Sequence, residues 1–348
     1  MQNYGGKMAA LLIVMSAIYS CNFPGSRSDI VIVREYRNAV KRLSSSVLLS
    51  SDSLIALKVV YHDGFLYAAN ASKNSNGLFI YDLQNGEEGF TIHKGRAYGE
   101  VISMSDLAID RDDSRLMALD IFQQKVVSYP LAGISTGSDP RMADEIRIEK
   151  IPVINSFCCG SRNIFAAGNI PGVRAIRLSL EGKVDTVATY SPGTKGGEYD
   201  RFLAEAYLGR MAVSKSGSNL VLCCRYADQM EIIDLARGGH LIVKGPDVFE
   251  PQYEVVNDFG GTLSHKREER MGYLDVKITG NSIFLLYSGL PLSARQAGGQ
   301  EIREFSLSGE YLGRYLLEDY ILSFDVSDDH RLFATTEDGK ILELIVEG

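Results

Sequence analysis

Six copies of one strand-turn-strand phrase, spaced about fifty residues apart, predict an all-β fold: a six-bladed β-propeller with four-stranded blades. Two further observations point the same way. No long apolar pattern of helical period runs through the repeating region, and turn residues punctuate short apolar runs throughout it. The sequence also stops directly after the third strand of its last unit, while a spare strand lies upstream of the first.

The phrase is clearest at residues 210–235 (RMAVSKSGSNLVLCCRYADQMEIIDL). In each unit an apolar anchor ends the first strand and another opens the second. The pairs are Val59 with Leu66, Ile109 with Leu116, Phe157 with Ile164, Val213 with Leu220, and Val276 with Ile283, each seven residues apart. The sixth, Val326 with Leu332, is one residue shorter. Turn chemistry fills the gaps, as in His62-Asp63-Gly64 and Ser216-Gly217-Ser218. A third strand follows in every unit, for example 78–83 (LFIYDL) and 231–235 (EIIDL), and a fourth follows in five of the six. For the last unit the fourth strand is expected from residues 39–50 or 29–36, paired with 340–346, which would close the ring and remove its exposed edges.

Residues 1–20 read as a lipoprotein signal peptide. Lys7 supplies a positive charge, and residues 8–18 (MAALLIVMSAI) form an apolar run of signal-peptide length, too short to span a bilayer. The run ends in Ile18-Tyr19-Ser20-Cys21, which resembles a bacterial lipobox and makes Cys21 the expected lipid attachment site. Residues 21–38 are then a lipidated tether and residues 39–348 the propeller. The residues after Cys21 carry no acidic cluster of the kind that accompanies surface export, so a periplasm-facing position is expected in the bacterial envelope. A formal charge of −8 argues against nucleic acid as a partner, since that needs a basic footprint.

Three passages carry a family resemblance. Residues 94–100 (KGRAYGE) are similar to a KGxGPxE loop, with Ala97-Tyr98 in place of Gly-Pro; residues 283–289 (IFLLYSG) are similar to a strand ending in LYSG; the third passage is the signal ending at Cys21. The chain from about residue 39 onward thus resembles the TolB-like six-bladed propeller lipoproteins of Bacteroidales. The resemblance implies an envelope-anchored propeller and implies no catalytic activity.

Candidate contact residues lie in the connections. A G-x-x-x-G-E loop occurs twice, with Gly95, Arg96, Gly99 and Glu100 in the first and Gly193, Lys195, Gly197 and Glu198 in the second. Each joins a fourth strand to the next first strand, on a face where a propeller channel opens. Turn-stabilising roles and ligand contact are the two readings of these residues. The longest interval, between the fourth and fifth units, offers Phe249, Tyr253 and Phe259 as contacts for a protein or glycan, or as a loop that shields the blades from solvent. Aspartates at 110, 112 and 113 and at 325, 328 and 329 lack the ligand ladder of a calcium loop and fit hairpin turns. Cys158-Cys159 and Cys223-Cys224 lack the spacing of a zinc site and read as small buried hydrophobes, with a cross-link between the pairs as the alternative.

No metal ligand set, catalytic residue or cofactor motif emerges. Histidines 62, 93, 240, 265 and 330 have no metal-ligand spacing, and no nucleophile elbow occurs. The expected function is therefore a non-catalytic, envelope-anchored module that binds a protein or glycan through its channel face. The alternative is a metal-assisted hydrolase or lyase at the channel mouth.

Overall fold

The computed structural model describes residues 28–36, 40–72, 77–86, 88–135, 143–148, 153–179, 183–190, 200–256 and 262–346. The expected signal peptide and Cys21 lie outside the described residues. The chain enters through two strands, β1 (Asp29–Ile32) and β2 (Val40–Ser50), and then builds blades in sequence. Blade one is β3 (Ala56–His62), β4 (Phe65–Asn70), β5 (Leu78–Asp82) and β6 (Glu88–Thr91). Blade two is β7 (Met104–Asp110), β8 (Arg115–Asp120), β9 (Lys125–Pro130) and, after the short helix α1 (Leu131–Ser135), β10 (Asp144–Arg147). Blade three is β11 (Ile154–Gly160), β12 (Asn163–Gly168), β13 (Val173–Leu178) and β14 (Val184–Thr189). The helix α2 (Asp200–Ala206) leads into blade four: β15 (Met211–Val213), β16 (Asn219–Cys223), β17 (Gln229–Asp234) and β18 (His240–Lys244).

An inserted hairpin, β19 (Tyr253–Val256) with β20 (Thr262–His265), separates blade four from blade five. Blade five is β21 (Tyr273–Thr279), β22 (Ser282–Tyr287), β23 (Gly299–Ser306) and the first half of β24 (Tyr311–Val326). The second half of β24 is the innermost strand of blade six, completed by β25 (Leu332–Thr336) and β26 (Lys340–Val346). Because one strand serves both blades, they share a seven-stranded sheet, while the other four blades are separate sheets. The expected six-bladed propeller is what forms.

Apolar packing gives the same count of blades. Alternate residues of each strand face the preceding and following blade, and six buried clusters fill the six junctions. One joins Tyr67 and Leu78 of blade one to Leu107 and Val127 of blade two. Another joins Phe333 and Ile341 of blade six back to Val59, Leu66 and Phe79 of blade one. The other four lie between blades two and three, three and four, four and five, and five and six.

The ring closes through β2. It pairs antiparallel with β26 from Leu43–Val346 to Ser50–Lys340, supplying the fourth strand of blade six. Leu43 is 1% exposed within the blade five–six cluster, a burial that contributes about 2 kcal/mol. Residues 29–36, the other closure candidate and part of the expected tether, take a different course. β1 adds a parallel fifth strand to β18 of blade four. Tyr36 then packs under Arg303 of blade five with 4.3 Å between guanidinium carbon and ring centroid, and its hydroxyl accepts a bond from Nη1 at 2.7 Å. Val40 to Leu43 run parallel to Arg314–Leu317 before β2 reaches blade six. Within the stretch expected as a tether, Asp29–Ile32 thus dock on the propeller, because the outer strand of blade four leaves backbone groups that a parallel strand satisfies.

Hairpin lengths alternate around the ring. Blades one, three and five close with two-residue turns between His62 and Phe65, Gly160 and Asn163, and Thr279 and Ser282. Blades two, four and six use longer ones, between Asp110 and Arg115, Val213 and Leu220, and Val326 and Leu332. Asp63 (φ 46°) and Gly64 (φ 86°) give the first short turn two left-handed residues, the geometry that matches strand twist.

Candidate functional site

Each blade places one polar side chain at an equivalent position along the axis, on its innermost strand or, for blade four, directly before it. In blade order these are Lys58, Asp106, Ser156, Arg210, Asp275 and Ser323, opposite Ala69, Leu119, Ala167, Cys223, Leu286 and Thr335 on the second strands. A β-bulge immediately precedes Lys58, Asp106, Ser156, Asp275 and Ser323. Lys58 reaches across the axis to Asp275 and lies 3.9 Å from Asp106, whose other oxygen takes Arg210 at 2.9 Å. Asp106 also accepts from Ser156 Oγ (3.1 Å) and the Phe157 amide (3.3 Å). Asp275 accepts in the same way from Ser323 Oγ (2.6 Å) and the Phe324 amide (3.4 Å).

Two cations and two carboxylates thus neutralise one another in a buried plug. Burial pushes the Asp275 carboxyl upward, but Lys58, Lys277 and the hydrogen bonds from Lys58 and Ser323 outweigh it and hold the group at about 2.

Beyond the plug, toward the first hairpins, the axis widens into a cavity of about 210 Å³ lined by all six blades. Its wall carries a second ion pair, Lys277 Nζ with Asp325 Oδ1 at 3.1 Å; the other Asp325 oxygen takes the Tyr61 amide at 2.7 Å. Cys158, Ser161 and Thr279 also line it. Over the mouth the three long hairpins meet. Arg111 of blade two and Lys215 of blade four both donate to Asp328 Oδ2 of blade six, at 3.0 and 3.3 Å. All three side chains are substantially exposed.

The first G-x-x-x-G-E loop lies at the other ends of the innermost strands. Its residues are spoken for within the chain. Glu100 Oε2 accepts the Ala97 amide at 2.9 Å, and a Cβ on Gly95 would come within 1.9 Å of that same oxygen, so a larger residue there would push the Glu100 carboxylate aside. Gly99 (φ 75°) donates to Glu145 Oε1 at 2.9 Å and accepts from Tyr129 Oη at 2.8 Å. Glu145 is in turn paired with buried Lys125 at 2.6 Å. Arg96 is exposed. Gly193, Lys195, Gly197 and Glu198 of the second loop lie outside the described residues. In the long interval, Phe249 is half-buried beneath Arg270 (5.0 Å) and Tyr253 packs on the cluster of Phe202, Ala206 and Leu263; Phe259 lies outside the described residues. Both described aromatics turn toward the protein.

The four described cysteines are free thiols. Burial pushes Cys223 and Cys224 up to about 12. The aspartates read as turn formers behave so at Asp110, whose Oδ1 accepts the Asp112 amide at 3.1 Å. Among the described residues no group of three or more His, Cys, Asp or Glu side chains is arranged to hold a metal ion, and no helix is long and apolar enough to cross a membrane.

The sequence profile of the TolB-like 6-blade propeller-like family matches residues 179–329, and that of a second family, described as a 6-bladed beta-propeller, matches residues 48–159. Among solved structures the chain is similar to a Bacteroides fragilis protein named as exported, with 15% identity, a TM-score of 0.57, and 92% of this chain and 99% of that one covered. It is also similar to a Bacteroides thetaiotaomicron protein of unknown function (10% identity, TM-score 0.57, 92% and 75% covered). A streptogramin B lyase is a third (13% identity, TM-score 0.52, 88% and 97% covered). No curated protein matches the sequence. At such identities the likeness to solved structures is one of fold. With its ring closed by β2, the chain is a six-bladed β-propeller whose residues 179–329 match the TolB-like family.

Proposed function

We propose that the protein is an envelope-anchored binding module whose partner, a protein or glycan, is met at the axial mouth formed by the first hairpins. The observation that carries this reading is the cavity itself: six blades converge on it, a neutralised plug floors it, and exposed charged side chains surround its mouth. Pockets with a few convergent polar groups on a rigid scaffold are where such folds bind ligands. The alternative of a metal-assisted hydrolase or lyase, which the fold of the streptogramin B lyase brings to mind, has less support. Asp106 and Asp275, the carboxylates nearest the axis, are already ion-paired to lysine and arginine. Localisation follows from the lipobox-like Ile18-Tyr19-Ser20-Cys21 and is supported by the exported Bacteroides relative.

The test places a photo-crosslinking residue at Asp112, on the mouth, or at Arg96, on the opposite face, in the full-length protein on native membranes. Specific adducts from position 112 and none from position 96 are expected, with Cys21→Ser releasing the chain from the membrane fraction. Adducts only from position 96 would move the contact face to the loops between blades and overturn the assignment.

A further inference from the structure

We infer that the axial cavity takes a compact, hydroxylated carboxylate of the acidic-sugar class, whose carboxylate replaces that of Asp328 between Arg111 and Lys215. This deepens the reading of the cavity as a binding site and rests on it. The geometry of the mouth carries the inference. The long hairpins of blades two, four and six each bring one charged side chain to the same point: Arg111, Lys215 and Asp328. Two cations from different blades are held by a single oxygen of one carboxylate, Asp328 Oδ2. Burial does not fix that carboxylate: Asp328 is 63% exposed, against 38% for Arg111 and 74% for Lys215. Exposed ion pairs contribute only about 0–1 kcal/mol each, so Asp328 can be displaced by an incoming carboxylate that keeps both partners satisfied. A carboxylate suits Arg111, whose planar fork can bind both of its oxygens where Asp328 now offers one.

Size and lining supply the rest. About 210 Å³ is below the range of drug-sized pockets and corresponds to roughly seven water volumes, room for one sugar-sized molecule rather than a chain. Along the cavity wall, Asp325 and the hydroxyls of Ser161 and Thr279 offer acceptors and donors for ligand hydroxyls, and Lys277 is paired with Asp325. The cavity takes the terminal acid and the mouth reads its charge.

The experiment follows backbone amide shifts of the purified propeller during titration with D-glucuronate, and in parallel with D-glucose and inorganic phosphate. Glucuronate is expected to shift the amides of Arg111, Lys215 and Asp328. Asp328→Asn, which frees both cations, is expected to bind it roughly threefold to tenfold tighter. The double variant Arg111→Ala/Lys215→Ala is expected to lose the response. All three positions are exposed, and unchanged melting temperatures would establish that the variants fold. An equal response to glucose, an equal response to phosphate, or no response to glucuronate even in Asp328→Asn would each overturn the inference. Failure here alongside specific crosslinks from position 112 would remove the acidic ligand and leave the binding module standing.

Discussion

Removing Lys58 tests the plug most directly. Lys58→Met keeps the length of the side chain and deletes its charge, leaving Arg210 on Asp106 but removing the cation in contact with Asp275, with only the more distant Lys277 to offset it. Lys58 is 5% exposed and Asp275 1%, so solvent cannot screen the imbalance. Breaking one partner of such a buried pair costs about 3–5 kcal/mol. With an unfolding entropy of about 2.1 cal/mol/K per residue over roughly 300 residues, the slope is about 0.6 kcal/mol per degree, and Tm should fall by about 5–8 °C.

Lys58→Met/Asp275→Asn restores neutrality, and the amide oxygen can still accept from Ser323 Oγ. The double variant should recover to within about 2 °C of the parent, since replacing both ions of a buried pair is often close to neutral. Calorimetry on the four proteins at one scan rate gives the coupling energy. A double variant that loses the sum of the two single losses would refute the pairing.

Acid should weaken the fold through specific carboxyls. Burial raises Glu231, but Arg174 and His240 outweigh it and hold it at about 2, as Lys58 does for Asp275. Carboxyls lowered on folding add stability that is complete above their unfolded values and is lost as pH falls through the folded ones. The loss should therefore run from about pH 4.5 to about pH 2, on the order of 3 kcal/mol for each group. A flat Tm over that window would contradict it. Deleting residues 30–50 strips β2 from β26 and uncovers the edge beside Leu342 and Leu344, so loss of soluble protein or a sharply lower Tm is expected. An unchanged melting temperature would sink the closure scheme.

The architecture was legible because strand period, turn chemistry and repeat length agree at every unit. The plug was not, although its signal was present: a polar residue in or directly before each first strand, one to three places before its anchor. Counting back from the anchors, it falls one place before Val59, Phe157 and Val276 but three places before Ile109, Val213 and Val326. The alternating hairpin lengths shift the anchors relative to the axis, so a nearly constant anchor spacing hid a uniform ring. Glu100 was legible as a turn former, because its bond to the Ala97 amide is local. The meeting of Arg111, Lys215 and Asp328 was not, because residues more than a hundred positions apart come together only when the ring closes. Tyr36 escaped for the same reason: its partner Arg303 lies 267 residues away.

The plug also bears on why the ring stops at six. In blade order its residues read Lys, Asp, Ser and then Arg, Asp, Ser, so each run of three blades is electrically neutral; each serine bonds the aspartate of its own run, while Lys58–Asp275 and Arg210–Asp106 tie one run to the other. Omitting a blade that carries one of the four charged residues would strand its partner ion at the axis, at a cost of several kcal/mol. Hairpin length obeys a different rhythm, short then long, and repeats every two blades. A ring that satisfies both must hold a multiple of three blades and a multiple of two. Six is the smallest number that does, and the axial charges and the hairpins of this ring fit it together.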